Sequence, residues 1–287
     1  MVEVLVHFVA PALVGVLIGI ASGLLGIGGG TVMVPIFRLA FGMSATMSTA
    51  TSLFAIIPTS ISGAISHVKG KTCIPALGIA AGLGGACLSP VGVWLAQLSP
   101  DWLVMLAAAL IIGYSAINMF KKAFKLRPAG QPATGVDAAA AASLTSSGDA
   151  AAAAPTADDS SLSRKQLLQG AAIGLVAGLA SGYVGVGGGF IMVPLMLSII
   201  GIPMRKASGT SLIAVMILAI PGVIEQGIIG NINYLAGIAI VIGTIPGAVI
   251  GARLVTKVPE RTLRLLFGCF LIVAAVMLVL NEVGIFG

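Results

Sequence analysis

Charged and aromatic residues are scarce in this sequence of 287 residues: 8% are charged and 5% are aromatic, whereas 58% are hydrophobic. A soluble globular chain carries about 25% charged residues, so this chain has too little polar surface to cover a soluble core. Its apolar residues also form long runs, interrupted mostly by Gly, Ser and Thr. This composition excludes a nucleic-acid-binding protein and a cytosolic enzyme, and it predicts an all-α polytopic membrane protein.

The motifs that mark metal, nucleotide and catalytic sites are missing as well. Cys73, Cys87 and Cys269 have no CxxC or CxH spacing, which favours small buried residues in helix packing. The stretch 26–31 lacks the last glycine of the dinucleotide motif GxGxxG, and it lacks the GK[ST] ending of a P-loop. HExxH, GxSxG and paired carboxylates do not occur. We therefore predict no metal, no cofactor, no nucleic-acid partner and no enzymatic activity.

Ten apolar runs are present, in two sets of five. They cover residues 4–25, 31–42, 47–66, 73–98 and 102–120, then 167–184, 190–202, 207–229, 232–252 and 262–281. The segment between the two sets is rich in Ala, Ser, Thr, Pro and Asp and has few large apolar residues, which is typical of a mobile linker. We predict a transmembrane repeat at 1–125, a disordered cytoplasmic linker at 126–163 and a second transmembrane repeat at 164–287.

The two sets of runs are copies of each other. A shift of 159 positions places residues 23–35 on residues 182–194 without a gap, and both contain the string GxxGxGGGxxMVP. The same shift places 51–53 on 210–212, which read Thr-Ser-Leu in both cases. Chance does not account for an ungapped match of this length, so the sequence contains an internal duplication.

The basic residues predict how the repeats are oriented. Basic residues in membrane proteins concentrate on the cytoplasmic side, so the excess of 15 Lys and Arg over 9 Asp and Glu marks loops and not an affinity for nucleic acid. If each repeat crosses the membrane an odd number of times, 14 of the 15 basic residues are cytoplasmic and Arg38 is the exception. An even number of crossings splits them 8 to 7. The charges favour inverted repeats of about five helical elements each.

The run 31–42 is too short to span a bilayer. Twelve residues of helix reach about 18 Å, against a hydrocarbon core of about 30 Å. The glycine cluster that precedes it disfavours continuous helix. We therefore predict a broken or re-entrant helical hairpin in each repeat, with its break at the glycines, and leave open whether the arms cross fully or return.

These breaks are the predicted binding site. A helix that starts inside the membrane presents free N–H groups and the positive end of its dipole, and glycine lets a ligand approach the main chain. With inverted repeats, two such starts face each other and form an anion site. The alternative is that the glycines only permit tight helix packing. The candidate residues are Gly26, Gly28, Gly29, Gly30 and Thr31 from repeat 1, and Gly185, Gly187, Gly188, Gly189 and Phe190 from repeat 2.

Two hydroxyl pairs and three ionisable residues complete the candidates. Thr51, Ser52, Thr210 and Ser211 are duplicated hydroxyls that could donate hydrogen bonds to an oxyanion, or bond carbonyls of their own helix. His67, Glu225 and Arg38 lie in or beside apolar stretches. We expect them to act in proton coupling or gating, with an interfacial position as the alternative.

These residues resemble the sulfite exporter TauE/SafE family. The resemblance rests on 23–35 and its copy 182–194, on the Thr-Ser pairs and on the glycine-rich run 243–253, and it covers nearly the whole chain except the linker. It implies movement of sulfite, thiosulfate, sulfoacetate or organosulfonates across the cytoplasmic (inner) membrane, without fixing the anion or the direction. Thr31 of repeat 1 corresponds to Phe190 of repeat 2, so the half-sites differ, and the Ala-rich linker looks like an insertion.

The leading hypothesis is a secondary carrier of a small sulfur-containing anion in the cell membrane, with a homo-oligomer left open. A passive anion channel with the same site and a membrane protein that binds or senses a ligand without transport are the alternatives. A further hypothesis places Cys73 or Cys87 against a thiosulfate-type substrate. Membrane potential alone expels anions, by about 2.3 kcal/mol per charge per 100 mV, so export needs no proton partner.

Overall fold

The computed structural model describes residues 10–125 and 163–282, which are helical throughout apart from short connections. The predicted linker 126–163 lies outside the described residues except for its last one. The first half forms α1 Ala10–Leu25, α2 Gly30–Phe41, α3 Ala45–Lys69, α4 Pro75–Leu98 and α5 Asp101–Lys125. The second half forms α6 Arg164–Val184, α7 Gly189–Leu195 with its π-helical extension Met196–Ile200, α8 Met204–Ile229, α9 Tyr234–Leu254 and α10 Glu260–Glu282.

Seven of the described helices are long and apolar enough to cross a membrane: α3, α4, α5, α6, α8, α9 and α10. The other three, α1, α2 and α7 with its extension, are shorter. The prediction of an all-α polytopic membrane protein is confirmed. The duplication is also visible in the helix boundaries, because α2, α3, α4 and α5 begin 159 residues before α7, α8, α9 and α10, respectively.

Glycines in the left-handed region break the first helical pair of each half, as predicted. Gly26, Gly28 and Gly29 have φ of 75°, 82° and 84°, a conformation that side chains with a Cβ rarely adopt. Their equivalents Gly185, Gly187 and Gly188 have φ of 72°, 89° and 67°. After the first break α2 packs mainly against α3, and one apolar cluster includes Ile18 of α1 with Met33 and Phe37 of α2.

The two halves are interlocked because each packs its first helix beside the fourth helix of the other. Helix α1 runs parallel to α9, with Gly19 against Thr244: a Cβ added at Gly19 would lie 2.8 Å from the Thr244 Cα. Helix α6 runs parallel to α4, and a Cβ added at Gly178 would lie 2.5 Å from the Gly85 Cα. Small residues therefore allow backbone-to-backbone approach at both contacts.

The third helix of each half forms the centre, and α3 and α8 run in opposite directions. Gly63 near the end of α3 contacts Leu212 near the start of α8, and Gly222 near the end of α8 lies against Leu53 near the start of α3. These two equivalent helices are thus antiparallel where they touch.

Two acidic residues fix the start of these central helices. The Asp101 carboxylate accepts a hydrogen bond from the Ala45 N–H at 3.3 Å, and the Glu260 carboxylate accepts one from the Met204 N–H at 3.3 Å. Both pairs are related by the shift of 159. A carboxylate at a helix amino end stabilises the helix dipole, so these acids hold α5 to α3 and α10 to α8.

Candidate functional site

The two breaks, here called glycine loop 1 (residues 26–29) and glycine loop 2 (residues 185–188), lie directly against each other and are buried. A Cβ added at Gly30 would lie 2.5 Å from the Val186 carbonyl oxygen, and one added at Gly189 would lie 2.5 Å from the Gly26 carbonyl oxygen. The fold therefore brings together the two segments that the sequence selected as half-sites.

The space between the loops is closed in this structure. Ile56 of α3 and Val215 of α8 are fully buried, and both lie against Gly28 and Gly187. The shared pocket expected at the loops remains a prediction: in the part of the chain that the structure describes, two apolar side chains lie at that position in this conformation. Both come from the central helices, which carry them to the contact between the loops.

Loop 1 and the start of α2 have hydrogen-bonding capacity that is not used. The N–H groups of Val32 and Met33 bond to the Gly29 carbonyl, at 3.3 and 3.2 Å. Among the described residues, the N–H groups of Gly28 and Gly30 donate no hydrogen bond. A helix start in this state carries a partial positive charge and free donors.

Three buried hydroxyls surround this helix start and have no hydrogen-bond partner among the described residues: Ser22, Thr31 and Ser60. Thr31 lies in the first turn of α2. A Cβ added at Gly28 would lie 3.5 Å from Ser60 Oγ, and one added at Gly29 would lie 3.6 Å from Ser22 Cβ. Buried hydroxyls are normally bonded, so this cluster around α2 is unusual.

Loop 2 is less polar. Ser181, the equivalent of Ser22, is also buried without a partner among the described residues and lies beside Gly188. However, Phe190 replaces Thr31, and Ala219 replaces Ser60. The two half-sites thus differ more than the sequence comparison of Thr31 with Phe190 indicated.

The predicted threonines have a structural partner each. Thr51 Oγ1 accepts a hydrogen bond from the Asn233 N–H at 3.0 Å, and Thr210 Oγ1 accepts one from the Ile74 N–H at 2.9 Å. Asn233 and Ile74 are the residues just before α9 and α4. Both threonines therefore anchor the start of a helix from the other half.

The predicted serines differ from each other. Ser211 donates to the Gly26 carbonyl at 2.7 Å, and its neighbour Ser208 donates to the Leu24 carbonyl at 2.9 Å. These bonds satisfy carbonyls at the end of α1, which a helix end leaves without partners. Ser52, the equivalent of Ser211, is buried and has no partner among the described residues.

His67 is buried and bonded at both ring nitrogens. Nε2 donates to the Gly23 carbonyl at 2.8 Å, since a carbonyl only accepts, and Nδ1 lies 2.7 Å from Thr72 Oγ1. The equivalent pair is Gln226 and Asn231, in which the Asn231 amide donates to Gln226 Oε1 at 2.8 Å. Both pairs connect the end of a central helix to the loop after it, and His67 also holds the end of α1.

The other candidates lie away from the loops. Arg38 is half-buried near the end of α2, and Glu225 is half-buried near the end of α8. Cys73 is buried, whereas Cys87 and Cys269 are exposed. Among the described residues, no group of three His, Cys, Asp or Glu side chains is placed to hold a metal ion.

Comparison with models of known protein families gives a match over most of the chain. The sequence matches the family model described as sulfite exporter TauE/SafE over residues 11–278. The chain belongs to the TauE/SafE family. Such a match covers both halves and the segment between them, so the resemblance seen in the sequence is confirmed.

Relatives of this TauE/SafE chain are named as transporters. The probable membrane transporter protein YunE of Bacillus subtilis is 27% identical over 97% of this chain and 99% of the relative. The probable membrane transporter protein YdhB of the same organism is 26% identical over 88% and 92%. Sulfite exporter TauE/SafE family protein 3 of Arabidopsis thaliana is 30% identical over 37% of this chain and 23% of the relative. No solved structure matches the chain.

Sequence reasoning missed Ile56, Val215, Ser22, Ser60 and Ser181. A signal exists for four of them, because the shift of 159 pairs Ile56 with Val215 and Ser22 with Ser181. An apolar residue or a serine in an apolar helix is otherwise ordinary, and only the fold shows that these surround the glycine loops.

Proposed function

We propose that this TauE/SafE chain is a secondary carrier of a small sulfur-containing anion such as sulfite, thiosulfate, sulfoacetate or an organosulfonate. The observation that carries the proposal is the start of α2, where free N–H groups meet the unpartnered hydroxyls of Ser22, Thr31 and Ser60. A buried polar group without a partner costs about 1–3 kcal/mol. An oxyanion accepts hydrogen bonds from several donors at once and is attracted by the helix dipole, so it removes this cost.

The binding site in this proposal is asymmetric. Loop 1 supplies the hydroxyls, and loop 2 with Phe190 supplies an apolar wall and Ser181. Ser52 is the one member of the four predicted hydroxyls that has no hydrogen-bond partner among the described residues. Thr51, Thr210 and Ser211 instead hold the backbone in place around the site.

The carrier works by alternating access between two inverted halves. The antiparallel contact of α3 and α8 supports this arrangement, since equivalent helices related by an axis in the membrane plane run in opposite directions. The basic residues that flank the linker support a cytoplasmic position for it. In the conformation described, Ile56 and Val215 close the passage between the loops, which favours a carrier that moves through a closed state over a continuously open channel.

Export is the direction that the membrane potential supports, without a coupled proton. His67 then serves to position α1, because both of its ring nitrogens are engaged. Glu225 and Arg38 lie near the ends of their helices and act at the entrances of the pathway, Arg38 by attracting anions on the outer side.

Counterflow in proteoliposomes tests the proposal. With the membrane potential held at zero by potassium and valinomycin, vesicles loaded with unlabelled sulfite should accumulate labelled sulfite through the protein, which a channel does not do under this condition. The Gly28→Ala variant should lose counterflow, because a Cβ there would lie 2.9 Å from Val215 Cγ1 in a left-handed conformation. Gly113→Ala is the matched control, since a Cβ there meets nothing within 4 Å. Absence of counterflow with every sulfur anion tried, in a folded wild-type chain, would overturn the proposal.

A further inference from the structure

A cavity lies on the side of the bundle, between α5, α6 and α7, with a volume of about 770 Å³. Ligand sites of small molecules have volumes of about 300–1,000 Å³ and are mostly apolar with a few polar groups. The lining of this cavity has that character: apolar residues predominate, and the polar members include Tyr114, Ser115, Asn118 and Tyr183. None of the lining residues is charged.

The polar lining is specific to this half of the protein. Under the shift of 159, Tyr114 becomes Val273, Ser115 becomes Ala274 and Asn118 becomes Met277. Packing alone does not require the polar residues, because the equivalent helix α10 is formed with apolar ones at the same positions.

The cavity also depends on smaller residues in this half. Ala107 and Ile111 line it, and their equivalents are the larger Leu266 and Phe270. At this cavity the first half therefore differs from the second in two respects: its lining side chains on α5 are smaller, and they are more polar, than their equivalents on α10. Both changes favour a bound molecule.

Two of the polar groups have no hydrogen-bond partner among the described residues. Ser115 is buried, Asn118 is half-buried, and neither forms a hydrogen bond in the part of the chain that the structure describes. Unsatisfied amide and hydroxyl groups in a bilayer are costly. A ligand that offers hydrogen-bond acceptors at this depth would satisfy both.

The position along α5 identifies the class of ligand. Lys121 is exposed and lies three residues beyond Asn118, which is about 4.5 Å along the helix axis. From Asn118 back to Ala107 the helix extends about 16 Å, close to one leaflet of the hydrocarbon core. Along α5 the protein thus offers a cation, then hydrogen-bond donors, then about 16 Å of apolar surface. This order matches the phosphate, the ester carbonyls and the acyl chain of a glycerophospholipid.

We propose that this cavity binds one phospholipid, with its phosphate near Lys121, its ester carbonyls at Asn118 and Ser115, and an acyl chain between α5, α6 and α7. The cavity is also lined by Ile191 and Pro194 of α7, so the lipid packs against the broken helix of the second half. This inference does not depend on which solute the carrier moves.

Native mass spectrometry of the full chain, with palmitoyl-oleoyl phosphatidylglycerol as the probe, tests the inference. The double variant Ser115→Ala and Asn118→Met copies the equivalent residues of α10 and should retain the lipid at least tenfold more weakly than wild type. Ile111→Phe fills the cavity as Phe270 does in the other half and should have the same effect. Ser62→Ala, a similar loss of a hydroxyl outside the cavity, should retain the lipid as wild type does.

Thermal unfolding in lipid-free detergent first establishes that each variant is folded. If wild type and both cavity variants retain the same number of lipids with the same strength, the lipid site is wrong. Monoolein, which has an ester and an acyl chain but no phosphate, should bind wild type more weakly than phosphatidylglycerol. Equal binding of the two would overturn the placement of the phosphate at Lys121. Transport of sulfite is not part of these readouts, so they stand apart from the proposed function.

Discussion

Ile56 and Val215 are equivalent residues of the two halves, and each contacts both glycine loops. A Cβ added at Gly187 would lie 2.8 Å from Ile56 Cδ1 and 3.5 Å from Val215 Cγ1, and one at Gly28 would lie 3.3 Å from Ile56 Cγ2 and 2.9 Å from Val215 Cγ1. Two equivalent apolar side chains, one from each half, thus lie at the contact between the loops. Their place between the loops makes them the closed gate of the proposed carrier.

Shortening the gate should make the protein leaky. With Ile56→Ala and Val215→Ala combined, the side chains no longer fill the space between the loops, so we expect anion flux without counter-substrate to rise at least tenfold. Efflux of labelled sulfite into substrate-free medium measures this leak.

Leu53→Ala is the control for that prediction. Leu53 is fully buried on the same helix; it lies against Gly222 and is not among the nearest neighbours of the loop glycines. This variant should be destabilised by about 2–5 kcal/mol without a leak. An equal leak in both variants would show that loss of packing, and not the gate, causes it.

Substitution of Thr51 or Thr210 should lower the stability of the fold and leave the affinity for the substrate unchanged. Replacing either with Val leaves the N–H group of Asn233 or Ile74 without its acceptor, so the free energy of unfolding should fall by about 1–3 kcal/mol. The KM for sulfite should stay within twofold of wild type. A large rise in KM with unchanged unfolding would instead place these hydroxyls on the substrate.

His67→Gln should keep transport and its pH profile. Glutamine is the residue at the equivalent position 226, and its amide can donate to the Gly23 carbonyl as the ring does. Measuring sulfite flux from pH 5 to pH 8 in both proteins checks this. A pH profile that flattens in the variant would identify His67 as a proton carrier, against the positioning role proposed above.

The breaks in the fold could be predicted from the sequence, whereas the partners of its hydroxyls could not. A run such as Gly28, Gly29 and Gly30 disfavours helix by its own backbone, and its duplication makes the inference firm. The bond between Thr51 and the Asn233 N–H joins residues 182 positions apart. Such a contact follows from helix packing across the two halves, which no local pattern encodes.

The candidate site was predicted at the level of its backbone and only partly at the level of its side chains. Thr31 could be selected because it follows the glycine run. Ser22 and Ser60 lie in helices rich in small residues, where a serine is typical of close helix packing. Only the fold shows that both approach the start of α2.

The central claim is that the start of α2 holds the anion, and sulfite binding by the purified protein tests it most directly. Hydrogen bonds to a charged group contribute about 1.5–3 kcal/mol each, and 1.4 kcal/mol is a factor of ten in affinity. Isothermal titration of the Ser22→Ala, Ser60→Ala double variant should therefore give a Kd at least tenfold above wild type. Ser89→Ala, which removes another buried hydroxyl without a partner among the described residues, should bind as wild type does. The same Kd in all three proteins would contradict the claim.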